Sequence, residues 1–116
     1  MIRKKTEMLS EIREKMRGGT GSVKITHMIK PEEFKAPVRL CSRLTIEAGS
    51  GIGLHEHATE DEVYVVVKGS GLLDEGNGKV KVETGDAILT GNGARHSIEN
   101  PGPETLELYA FIATYQ

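Results

Sequence analysis

Two histidines one residue apart, with a carboxylate five positions beyond the second, constrain this chain most tightly: His55-Glu56-His57-Ala58-Thr59-Glu60-Asp61-Glu62. Side chains alternate faces along a strand, so His55 and His57 project from the same side and can reach one point. The four polar, turn-compatible residues that follow His57 let the backbone bend and return Glu62 to that point. Val63-Tyr64-Val65-Val66-Val67 is β-branched and aromatic and reads as a buried strand. On it Tyr64 and Val66 share the parity of Glu62 and face inward with it. A further histidine, His96, lies in the Gly-punctuated stretch Gly91-Asn92-Gly93-Ala94-Arg95-His96. Three imidazoles and one carboxylate make an N3O donor set, which suits a divalent first-row transition metal, with manganese, iron, nickel and zinc all admissible.

The spacing of these residues resembles that of a known family. Gly49, five residues, His55-Glu56-His57, four residues, Glu62, six residues and Gly69 are similar to the first cupin motif at every fixed position. Gly85, five residues, Gly91-Asn92-Gly93, two residues, His96, three residues and Asn100 are similar to the second, except that Gly91 stands where the pattern has proline. The resemblance implies an all-β fold, a double-stranded β-helix or jelly-roll cupin barrel. It also implies one divalent metal per subunit, held inside one end of the barrel by His55, His57, Glu62 and His96. The wider chain resembles small bacterial single-domain cupins, some of them described as oxalate-decarboxylase-like.

A chain of 116 residues has room for one domain with a modest core. We divide it into an N-terminal helical segment and linker, residues 1–21, and a barrel, residues 22–116. Met8, Leu9, Ile12 and Met16 recur at near-helical spacing, with Thr6 as N-cap and Gly18-Gly19 as stop, predicting a short amphipathic helix over 6–17. A formal net charge of −2 gives no reason to expect nucleic acid or an anionic membrane as partner. Cys41 is the single cysteine, which excludes an internal disulfide and a zinc-thiolate site. The basic amino terminus is not followed by an apolar h-region, and a cytoplasmic location is expected.

Val38 to Ile46 alternates apolar with polar, placing Leu40, Leu44 and Ile46 toward the core and Arg39, Cys41, Arg43 and Thr45 on the other face. Arg43 is a candidate for guiding an anionic substrate should that face form the barrel mouth, and Tyr64 for donating a hydrogen bond to a bound oxygen. The final run, Thr105 to Ala113, is apolar on both faces, which calls for a second covering layer and points to a homodimer. Four protein ligands on an ion that prefers six leave room for water or substrate. A divalent ion beside one carboxylate retains a charge of about +1, which favours a small-molecule anionic ligand. The reading is a metalloenzyme, decarboxylase or dioxygenase, acting on a small carboxylate or oxygenated molecule. The alternative is a non-catalytic module that captures a small ligand or anion.

Overall fold

Period-two alternation becomes ten strands in the computed structural model, which describes all 116 residues. They are β1 (Leu9–Glu14), β2 (Ser22–His27), β3 (Val38–Ile46), β4 (Gly51–Glu56), β5 (Glu60–Lys68), β6 (Ser70–Asp74), β7 (Lys79–Glu83), β8 (Ala87–Gly91), β9 (Arg95–Glu99) and β10 (Leu106–Thr114). A six-stranded sheet in the order β1-β2-β3-β10-β5-β8 faces a four-stranded sheet in the order β4-β9-β6-β7, and all the pairings are antiparallel. This is the expected all-β jelly roll. No helix is long and apolar enough to cross a membrane.

The inward residues of the two sheets meet in one cluster that includes Val23, Ile25, Leu44, Ile46, Leu106 and Leu108 from the larger sheet and Ile52, Leu73 and Ile98 from the smaller. Fully burying each such side chain contributes roughly 1.5–3 kcal/mol. The chain changes sheets at Gly69. Its φ of +74° lies in the left-handed region, and a Cβ there would sit 2.4 Å from the Thr105 carbonyl oxygen. The buried Asn100 pins the turn before β10: its Nδ2 donates to the carbonyls of Ile46 (2.8 Å) and Glu104 (2.7 Å), and its Oδ1 accepts from Gly102 N (2.8 Å).

The helix expected over residues 6–17 does not form. Helix in this segment is confined to short 3-10 turns at Lys5–Glu7 and Met16–Gly18, with the extended strand β1 between them. Four apolar positions make too short a stripe to hold a helix that is marginal alone at this length. Extended, the same backbone pairs with β2 from Leu9 opposite His27 to Glu14 opposite Ser22. Leu9 and Ile12 remain exposed, and Met16 alone of the stripe packs against the core.

Gly91, at the end of β8, lies opposite Asp61. A Cβ there would fall 2.0 Å from Asp61 Oδ1 and 2.8 Å from the Glu60 carbonyl, which explains why the smallest residue occupies a position where the family pattern has proline. The loop is tied down by other bonds. Gly93 N donates to His57 O (2.9 Å), His57 N donates to Ala94 O (3.0 Å), and Tyr115 Oη donates to Asp61 Oδ1 (2.6 Å) while accepting from Asn92 N (3.1 Å).

Candidate metal centre

Antiparallel pairing of β4 with β9 sets His55 directly opposite His96, and the bend after β4 carries His57 back over the entrance of β5. Glu62 projects inward from β5 in line with Tyr64, as parity requires. One donor atom from each of His55, His57, Glu62 and His96 comes within 4.8 Å of the other three, and all but His55 are buried. His96 Nε2 lies 3.1 Å from both His57 Nε2 and His55 Nε2, while Glu62 Oε1 is 2.9 Å from His57 Nε2 and 3.0 Å from His96 Nε2. The structure therefore brings together all four sequence candidates, and this cluster is able to bind a metal.

The chemistry of the donors supports that statement. His55 Nδ1 donates to Gly53 O (2.7 Å), and His57 Nδ1 donates to Glu60 Oε2 (2.5 Å). These oxygens only accept, so both rings carry their proton on Nδ1 and, when neutral, turn bare Nε2 lone pairs toward the cluster. Thr90 Oγ1, 2.9 Å from His96 Nδ1, fixes the third ring. Glu62 Oε1 is buried with no hydrogen-bond partner despite the nearby imidazoles. Converging lone pairs and an orphaned carboxylate oxygen repel unless a cation lies among them. Donors about 3 Å apart are also spaced as neighbours around one ion about 2.1 Å from each. The residues fit a divalent metal.

Their surroundings hold the rings in place. Arg39 grips Glu60 with two bonds, Nε to Oε1 (2.9 Å) and Nη2 to Oε2 (2.8 Å), and this guanidinium holds the Glu60 carboxyl down at about 2. The ionised carboxylate in turn orients His57, the arrangement that fixes a ligating imidazole and raises its basicity. Burial pushes His55 below its ordinary value, which favours the neutral ring that a metal requires. Tyr64 is fully buried and stacks on the His96 ring, centroids 4.9 Å apart and planes 14° from parallel. Burial, and then the adjoining Glu62 carboxylate, raises its phenol well above its usual value, so Tyr64 stays protonated.

Above the cluster lies a cavity of about 170 Å³, with His55, His57, Glu62 and Tyr64 among its walls. Glu62 is the single carboxylate in its lining, while Arg13, Arg17 and Arg39 supply positive charge. The candidate Arg43 is elsewhere: its Nε lies 3.8 Å from Glu107 Oε1, and it takes no part in the cavity wall. Sequence reasoning missed Glu60, Thr90 and the cavity arginines. Glu60 carries a usable signal, since it shares the parity of Glu62 on β5, whereas Thr90 is brought to the site by lying directly across the ladder from Glu62.

Residues 42–112 match the family model described as Cupin domain. The chain is similar to the oxalate-binding protein of Thermotoga maritima, 36% identical over 112 residues that cover 97% of this chain and 93% of the relative. It is similar in structure to a predicted oxalate decarboxylase from Thermotoga maritima, with a TM-score of 0.93 and 35% identity, covering 98% of this chain and 99% of that one. An uncharacterized protein of Methanocaldococcus jannaschii is 32% identical over 88 residues, 76% of this chain and 70% of the relative.

Proposed function

Because the chain belongs to the cupin family, we propose that it is a metal-dependent binding protein for small carboxylate anions, with oxalate as the type ligand. The observation that carries this reading is the convergence of His55, His57, Glu62 and His96 at the wall of a small cavity whose other charged side chains are arginines. When bound, a divalent ion supplies Lewis acidity and a residual positive charge to an anion beside it. The chain's own residues do the rest. Gly53 O, Glu60 and Thr90 aim the imidazoles, Glu62 supplies the anionic donor, and Tyr64 keeps an O–H in the cavity wall. Ile25, Leu40, Leu44 and Ile112 in the cavity wall limit water and strengthen its electrostatics.

Turnover is the second reading: a decarboxylase or dioxygenase acting on a small carboxylate or oxygenated molecule, favoured by a donor set that leaves one side open to the cavity. Decarboxylation also needs a proton donor close to the substrate. Tyr64 and His27, both in the cavity wall, are the groups available for that role. Calorimetric titration of the manganese-loaded protein with oxalate tests binding, with one anion per subunit expected. Absence of heat at millimolar oxalate would count against this reading. Carbon dioxide release from the same complex would establish turnover.

The proposed assembly is a homodimer. Ile12, Leu89, Tyr109 and Phe111 are exposed on the outer face of the six-stranded sheet, and a second copy of the chain would cover them. Light scattering after size exclusion at micromolar concentration should return twice the 12.6 kDa chain mass. A mass of one chain would refute the dimer.

A further inference from the structure

The three arginines of the cavity differ in what they are free to do. Arg39 is committed to Glu60 through Nε and Nη2. Arg13 is bonded to Glu11, its Nε 3.0 Å and its Nη2 2.9 Å from Oε1. Arg17 lines the same cavity and forms no ion pair or side-chain hydrogen bond within the chain. An arginine left without a carboxylate in a cavity that otherwise pairs its guanidinium groups has its full fork available to an anion from outside.

Its position is also built rather than incidental. Arg17 has φ +54° and ψ +30°, and Lys15 has φ +48° and ψ +44°. Two non-glycine residues in the left-handed region within three positions are strained, and such strain persists where the surroundings impose it. Here the turn is clamped onto β4, the strand that carries His55. A Cβ on Gly53 would lie 2.1 Å from the Arg17 carbonyl oxygen, and one on Gly19 would lie 2.3 Å from Gly51 O. Thr20 continues the clamp, since its carbonyl accepts from Gly51 N (3.0 Å) and its hydroxyl donates to Gly49 O (3.0 Å). Met16, next to Arg17, packs against the core. The N-terminal segment thus runs as a strap across the barrel end and delivers one uncommitted cation to the cavity.

We propose that Arg17 is a specificity-determining residue: it receives the far carboxylate of a small dianion whose near carboxylate lies at the His55, His57, Glu62 and His96 cluster. The site then selects dicarboxylates over monocarboxylates of similar size. This inference rests on the anion-binding reading above and assigns the source of its selectivity to the strap. A bidentate contact from guanidinium to carboxylate has a geometry that lysine cannot reproduce.

The test is calorimetric titration of the manganese-loaded full chain with oxalate and with acetate, for wild type, Arg17→Met, Arg17→Lys and Arg43→Met, with bound manganese measured in each. Arg17 is exposed, so its replacements leave the core untouched. Arg17→Met is expected to weaken oxalate at least tenfold while acetate affinity and manganese content stay within twofold of wild type. Arg17→Lys should recover only part of that loss, and Arg43→Met, outside the cavity wall, should behave as wild type. Oxalate affinity in Arg17→Met within twofold of wild type, or an equal loss for both anions, overturns the assignment of selectivity to Arg17 and leaves the anion site intact. Wild-type protein that binds manganese but neither anion overturns both readings.

Discussion

Replacing His57 with alanine is expected to abolish metal retention while leaving the barrel folded. His57 is 2% exposed, and it faces two other donors at once, with Nε2 2.9 Å from Glu62 Oε1 and 3.1 Å from His96 Nε2. Its loss removes one donor of four and frees Glu60 from its aiming role. Loss of an outer partner alone costs 10–100-fold in metal affinity, so loss of a ligand should exceed about a hundredfold. The fold should survive because His57 lies outside the apolar cluster formed by Leu44, Ile46, Leu106 and their neighbours. Relieving the crowding of lone pairs in the metal-free protein also offsets part of the cavity cost. Metal content after dialysis, with far-ultraviolet circular dichroism as the fold control, checks this. Unchanged metal in a folded variant would remove His57 from the ligand set.

Glu60→Gln should lower metal affinity by about 10–100-fold with little effect on folding. The amide is uncharged, so it accepts the His57 Nδ1 proton more weakly and leaves the imidazole a poorer donor at Nε2. It also breaks the two-pronged grip of Arg39, whose side chain is 48% exposed. A pair that open to solvent contributes roughly 0–1 kcal/mol to stability. Competition with a chromogenic chelator measures the affinity and thermal unfolding of the metal-free protein measures the cost. Wild-type affinity in Glu60→Gln would mean that the 2.5 Å contact with His57 Nδ1 does not tune the centre.

The four donors and the barrel were legible in the sequence because both follow from local rules. Parity along a strand puts His55 and His57 on one side and Glu62 with Tyr64 on another, and the glycines mark where the chain turns between sheets. Glu60 is harder to see because the sequence places it in the polar turn, whereas β5 begins at that residue and turns it inward with Glu62. Thr90 depends on the register between β5 and β8, which no local pattern specifies. Arg43 and Arg39 share one face of β3, yet Arg39 enters the cavity lining beside Glu60 while Arg43 lies farther along the strand toward Glu107. The N-terminal segment was the largest departure. Met8, Leu9, Ile12 and Met16 fit a helix by spacing alone, but the unpaired edge of β2 offers a full ladder of backbone bonds to an extended chain. With the helix goes the strap geometry, so Arg17 was invisible: the left-handed turn that aims it exists only because Gly19 and Gly53 let the two segments touch.

Whether the three imidazoles and Glu62 hold a metal is decided by elemental analysis of the purified wild-type protein. Close to one divalent transition metal per subunit is expected, as purified or after incubation with manganese, iron, nickel or zinc and removal of the excess. No retained metal after incubation with any of them would contradict it, and the four converging side chains would then be a polar patch of the barrel wall.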